Sequence, residues 1–194
     1  MQDSVGNLGY QGNTPDEKTS KYPSSAKTLD KIIQKGQISI IESEIVGLPY
    51  AIFSEMAKKG YDCMAIVRSR PEAFKQDYGL DATVHWLSTL NSVKDSINPN
   101  NYAMDTLNDI RKFITTNPKG IILFEGIEYV TTQNTIDHFL RWLNVVADEI
   151  AINKNSRFIL TYDPLAFDTT KRQLIKKSGI NVTADIDNHF GLKK

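Results

Sequence analysis

The sequence predicts a three-layer α/β fold built on a mainly parallel sheet. One observation is the run Gly120-Ile121-Ile122-Leu123-Phe124-Glu125. It has no polar alternation, which suits a strand buried on both faces. Another is the strict alternation of strand-like and helix-like segments along the chain, the signature of right-handed βαβ crossovers. A third is the punctuation: Pro49 and Pro71 open helical segments, and Gly60 and Gly79 close them. Five strands are expected, with no internal repeat.

Taken in order, residues 1–26 are rich in Gly, Ser, Asn, Asp, Lys and Pro. Such a stretch cannot bury enough apolar surface to offset its ordering entropy. It is expected to be a flexible arm, with Tyr10 and Tyr22 as contacts if it docks on a partner. The α/β domain is expected over residues 27–180. A short helix over 27–35 places Leu29, Ile32 and Ile33 on one side and stops at Gly36. Residues 37–42 carry Ile38, Ile40 and Ile41 and read as the first strand. A turn with Gly47 leads to a helix over 49–59, whose core face is Ile52, Phe53 and Met56. Residues 62–67 form the second strand, and Arg68-Ser69-Arg70-Pro71 opens a helix to residue 78. Residues 83–87 form a short third strand. Asn98-Pro99 opens a long helix to residue 116, with Leu107, Ile110, Phe113 and Ile114 at helical spacing. The Gly120 strand follows. Asn134 is expected to cap a helix to residue 153, with Phe139, Leu143, Val146 and Ile150 in its stripe. Residues 157–162 form the last core strand, and Asp168 caps a final helix that ends near Gly179. Residues 181–194 read as a tail or an edge strand.

Bulk properties restrict the function. A chain of 194 residues suits one domain with a sizeable core. Basic and acidic residues balance at 23 each, which removes the electrostatic footprint of a dedicated nucleic-acid binder. Cys63 is the only cysteine, so an intrachain disulfide and a cysteine-based zinc site are excluded. Lying mid-strand, it is read as inert packing. The N-terminal residues lack a charged start and apolar centre, and no apolar run reaches membrane-spanning length. A soluble, cytoplasmic protein with no membrane partner is therefore expected.

The ordered motifs Arg70-Pro71-Glu72, Tyr78-Gly79, Trp86-Leu87-Ser88, Ile97-Asn98-Pro99, Glu125-Gly126-Ile127-Glu128-Tyr129, Asn134 and Asp163-Pro164 resemble the archaeal domain of unknown function 835. That family often has Asp-Gly where this chain has Glu125-Gly126. The resemblance implies a domain attached to archaeal sensory and signalling proteins, without an established activity. The chain also resembles a worn copy of the RecA/KaiC class of ATPases. There, a first strand feeds a phosphate loop and a later apolar strand ends in an acid that supports magnesium. Residues 38–49 and 120–125 occupy the matching places.

The phosphate loop fails on physical grounds. It needs two glycines flanking four residues, then Lys and Ser or Thr. This chain has Glu42-Ser43-Glu44-Ile45-Val46-Gly47-Leu48-Pro49. Leu48 and Pro49 replace the residues that neutralise charge and hold Mg²⁺, and Pro49 deletes an N–H at the helix start. A carboxylate ~5 Å from one phosphate charge costs about 3 kcal/mol at an effective dielectric near 20. A helix N-terminus returns only about 0.3–1 kcal/mol. The prediction is a RecA-like fold without a functional phosphate loop. RecA-like order would place the 157–162 strand between the first strand and the Gly120 strand; flavodoxin-like order would not.

The polar residues expected at the carboxyl edge of the sheet are Glu42, Arg68, Arg70, Ser88, Glu125, Glu128 and Asp163, with Glu44 beside them. Open α/β sheets keep their ligand sites there. They would form either a mixed-charge ligand pocket or a set of acids paired with Arg68 and Arg70. Glu125 and Asp163 could share Mg²⁺, but without a phosphate cradle neither a metal nor a cofactor is expected. His85, His138 and His189 are scattered, and Gly-x-Ser-x-Gly is absent, so no catalytic set emerges. The expected function is a non-catalytic signalling or protein-interaction module, with a protein partner or self-association. The alternative is a small-molecule or nucleotide sensor, or a divergent Mg-dependent enzyme, working at the carboxyl edge.

Overall fold

Every apolar run read as a strand joins one parallel sheet, and the strand order separates the two topologies open to the sequence. A computed structural model describes residues 28–90 and 95–192. The expected arm over residues 1–26 lies outside the described residues. The chain begins with helix Leu29–Ile32 (α1), strand Ile38–Glu42 (β1), helix Leu48–Lys58 (α2), strand Asp62–Val67 (β2) and helix Pro71–Tyr78 (α3). Strands Thr83–Leu87 (β3) and Ser96–Ile97 (β4), helix Tyr102–Thr116 (α4) and strand Gly120–Glu125 (β5) follow. Then come helices Ile127–Gln133 (α5) and Ile136–Asn153 (α6), strand Arg157–Tyr162 (β6) and a 3-10 turn, Pro164–Ala166. Helix Thr169–Lys177 (α7), strand Ile180–Asn181 (β7) and helix Thr183–Phe190 (α8) complete it.

The sheet order is β4-β3-β2-β5-β6-β1-β7, and every pairing is parallel. β6 lies between β1 and β5, with Ile40 opposite Leu160 and Leu123 opposite Ile159. This is the RecA-like order. Among the described residues the sheet has seven strands rather than the expected five, because β4 and β7 extend its two edges. Each is two residues long, too short to carry a readable period. The segment read as a tail or an edge strand gives β7 and then helix α8.

Both faces of the sheet are covered, which is why the strand runs are continuously apolar. Side chains alternate between faces. Ile40, Ile66, Ile122, Phe124, Phe158 and Leu160 meet α4 and α6 through Ile110, Phe139, Trp142, Leu143 and Val146. Ile41, Ala65, Val67, Ile121, Leu123 and Ile159 meet Ile52, Phe53 and Met56 of α2, Phe74 of α3 and Ile186 of α8. Ile121, Ile122, Leu123 and Phe124 are all fully buried. Each such side chain contributes about 1.5–3 kcal/mol.

Helices depart from the sequence reading: α1 spans Leu29–Ile32 rather than residues 27–35, and α5 is not among the expected helices. α4 starts at Tyr102, not at Asn98, because Asn98 Oδ1 accepts from Asn100 N at 3.0 Å and holds a turn. Asn134 does not cap α6. Thr135 does, accepting from His138 N at 3.2 Å. The Asn134 side chain donates to the carbonyls of Val130, at 3.1 Å, and Pro99, at 2.7 Å, closing α5 and tying it to the loop before α4. α7 is not the final helix. Val182 and Ile186 are buried as α8 closes over the core on the α2 side. Among the described residues no helix is long and apolar enough to cross a membrane.

Candidate functional site

A parallel sheet sends the carboxyl ends of β1, β5 and β6 to one edge, facing the start of α2. The loop between β1 and α2 occupies the place of a phosphate cradle. Such a cradle alternates right- and left-handed residues so that successive amides converge on an anion. Here no residue from Ser43 to Leu48 has a positive φ. Gly47 is right-handed, at φ −79° and ψ −14°. Loop amides are used internally: Ile45 N donates to Ser43 Oγ at 3.0 Å, and Leu48 N to Ile45 O at 3.1 Å.

Between this loop and the strand ends lies a cleft of about 270 Å³. Glu44, Glu125, Glu128 and Asp163 line it, and no Lys, Arg or His does. Glu125 ends β5 opposite Thr161 of β6. Its Oε2 accepts from Arg68 N at 3.1 Å and from the Tyr50 hydroxyl at 3.2 Å. It thereby ties the end of β2 and the first turn of α2 to β5. Burial, reinforced by the charge of Glu125, pushes the Tyr50 hydroxyl well above its ordinary range. Glu128, in the first turn of α5, accepts from Asp163 N at 2.7 Å. Burial pushes its carboxyl above the usual value. Backbone N–H groups offset part of that shift, while the charges of Glu125 and Asp163 add to it. Asp163 caps the 3-10 turn by accepting from Leu165 N at 2.8 Å.

Glu42 belongs to a neighbouring cleft of about 260 Å³, which shares Ser43, Glu44 and Ile45 with the first. It is an ion-pair hub. It accepts from the Tyr162 hydroxyl at 2.8 Å, Arg172 Nε at 3.0 Å and Lys176 Nζ at 2.5 Å. Burial alone would raise its carboxyl, but these three donors hold it below the usual value.

The other three predicted site residues gather away from both clefts. Arg68 donates from Nη1 to Leu87 O and lies 3.6 Å over the Tyr129 ring. Arg70 sits 5.2 Å over Trp86, whose Nε1 donates to Arg68 O at 2.9 Å. Ser88 is buried and accepts from Leu90 N at 3.1 Å. The expected pairing of Arg68 and Arg70 with acids does not form. Their guanidinium groups take aromatic faces and a carbonyl instead, and only the backbone N–H of Arg68 reaches Glu125. The cleft residues that sequence reasoning missed are Thr161 and Tyr162, together with Tyr50, which holds Glu125 from outside the lining. Thr161 could have been suspected as a polar residue near the end of an otherwise apolar strand. Among the described residues no group of three His, Cys, Asp or Glu is arranged to hold a metal ion.

A sequence profile described as Protein of unknown function (DUF835) matches residues 48–178. The chain belongs to the DUF835 family. The match runs from the first residue of α2 to the end of α7, so β1, β7 and α8 lie outside it. The DUF835 chain is similar in fold to the flagellar accessory protein FlaH from Methanocaldococcus jannaschii. The TM-score is 0.55, with 15% identity over 82% of this chain and 77% of that one. The likeness establishes the RecA-like α/β fold and nothing beyond it. No curated protein matches the chain.

Proposed function

We propose that this DUF835 protein is a non-catalytic signalling or interaction module built on a nucleotide-cleft scaffold that no longer holds nucleotide. The observation that carries the reading is the cleft beside Gly47, which has four carboxylates, no cation and no left-handed turn to gather amides. Like charge repels a triphosphate there, and no Lys or Mg²⁺-holding hydroxyl stands where the phosphate loop would supply one. An apolar groove of about 580 Å³ between α4 and α6, flanked by the exposed Met104 and Val145, supports a role in protein contact.

A thermal-shift and calorimetric screen with Mg-ATP, Mg-GTP and cyclic nucleotides tests this reading. A ligand at a hundredfold excess over its Kd stabilises by about 2.7 kcal/mol. The expected outcome is no shift and no hydrolysis; turnover of ATP would sink the proposal. Light scattering on the purified protein tests self-association. A second reading, a sensor of small molecules at the carboxyl edge, is favoured by one observation. The acidic cleft remains open although its acids are partly tied to backbone.

A further inference from the structure

The cleft at the ends of β1, β5 and β6 carries two independent marks of a ligand site. One is its charge: Glu44, Glu125, Glu128 and Asp163 line it without a basic side chain among them. The other is Thr161. It is only 2% exposed, it lines the same cleft, and its Oγ1 has no hydrogen-bond partner among the described residues. A buried hydroxyl without a partner is unfavourable, and so is the gathering of the half-buried carboxylates of Glu125, Glu128 and Asp163. The backbone donors to Glu125, Glu128 and Asp163 take up only part of the roughly four acceptor sites of each carboxylate.

One class of group relieves both: a cation with several N–H donors. We propose that the cleft binds the primary ammonium or guanidinium group of an aliphatic cation. Its donors would be shared between Thr161 Oγ1 and the carboxylates of Glu125 and Glu128. Its alkyl stem would lie along Ile45, Val46 and Pro49. Ile45 and Val46 are 50% and 82% exposed at the lip, apolar surface that the stem would cover. A bare divalent ion fits less well, because no three acids are placed as ligands and Mg²⁺ demands near-octahedral geometry. The volume of about 270 Å³ suits a single charged head and its stem. The inference rests on reading the cleft as a recognition site that excludes nucleotide. A free amine and a Lys or Arg side chain offered by a protein share this chemistry.

The test is calorimetric titration of the full chain with agmatine, n-butylamine and the blocked tripeptides acetyl-Gly-Arg-Gly-amide and acetyl-Gly-Lys-Gly-amide, with n-butanol as the uncharged control. The cations should bind, the alcohol should not, and added salt should weaken binding. Thr161→Val and Glu128→Gln should each weaken binding about tenfold, the scale of one hydrogen bond to a charged group. Both should raise the Tm of the free protein, which a general unfolding defect would not do. Tighter binding of a peptide than of agmatine assigns a protein side chain as the source, and the reverse assigns a small amine; either supports the site. No heat from any cation up to about 10 mM, or unchanged affinity in both variants, overturns the inference. If Mg-ATP is also silent, that failure leaves the interaction-module reading standing. Binding of Mg-ATP in this cleft would instead remove the premise itself.

Discussion

Glu42 and Glu128 are carboxylates at the same edge of one sheet, and their surroundings drive them in opposite directions. Burial penalises the charged form of both. At Glu42 the hydrogen bonds from Lys176, Tyr162 and Arg172 overcome burial, and the folded carboxyl lies below its ordinary 4.5. Its stabilisation is therefore present above that value and is lost as pH falls through the lowered folded one. Glu42→Gln should lower stability at neutral pH by about 1–2 kcal/mol, a figure reduced because Arg172 and Lys176 are about a third exposed. Urea denaturation should show the gap to wild type closing in acid. At Glu128 burial outweighs the backbone donors, and the folded carboxyl lies above 4.5. Its favourable contribution is present below 4.5 and is lost as pH rises through the raised folded value. Glu128→Gln keeps an acceptor for Asp163 N and removes the charge, so it should raise Tm at neutral pH. That gain should vanish below about pH 4; a gain that persists in acid would show that charge is not its source.

Two element boundaries have a specific residue behind them. β5 turns into α5 at Gly126, whose φ of 116° side chains rarely adopt. A Cβ there would stand 3.0 Å from Arg68 Cγ and 3.1 Å from Leu87 Cδ1. Arg68 can swing aside, but Leu87 is fully buried. Gly126→Ala should cost about 1–3 kcal/mol in denaturant titration, through backbone strain and this contact. It should also loosen Glu128, which sits two residues on. At the start of α6, Thr135→Ala should cost about 1 kcal/mol as the His138 amide loses its cap. The sequence reading places the cap at Asn134, and local preference ranks Asn at least as high as Thr. Tertiary structure moved the cap to Thr135 by giving Asn134 the carbonyl of Pro99, 35 residues away.

Across the whole molecule, β1 is an internal strand one place from the β7 edge of the sheet, although it lies outside the family match. It is flanked by β6 on one side and β7 on the other. Val182 N extends that edge by donating to Ile40 O at 2.9 Å, and Glu42 N donates to Thr183 Oγ1 at 2.9 Å. Removal of residues 180–194 should strip this cover from β1 and uncover Leu29 and Ile32, which share a core with Ile186. An open, apolar strand edge invites pairing with another chain. Lower solubility and a concentration-dependent rise in light scattering are the expected outcomes. A monomer of unchanged Tm would mean that β7 and α8 are not part of the folded unit.

By itself the sequence determined the six-residue strands Asp62–Val67, Gly120–Glu125 and Arg157–Tyr162 and the helix Pro71–Tyr78, each at its observed bounds. These carry long apolar runs or Pro and Gly punctuation, signals that are local in the chain. It also determined that the loop at Gly47 lacks the chemistry of a phosphate cradle, since glycines and a lysine that are not there cannot be supplied by folding. Tertiary structure decided the seven-strand order, the edge strands β4 and β7, and helices α5 and α8, whose short or polar sequences gain their stability from neighbours. It decided too that Glu42 faces Arg172 and Lys176, while Glu125, Glu128 and Asp163 share a cleft with Thr161 and with no cation. Glu128 and Asp163 lie 35 residues apart, and Glu42 and Arg172 lie 130 apart. Charge balance over the whole chain says nothing about which charges meet, because only the fold brings distant side chains within hydrogen-bonding reach.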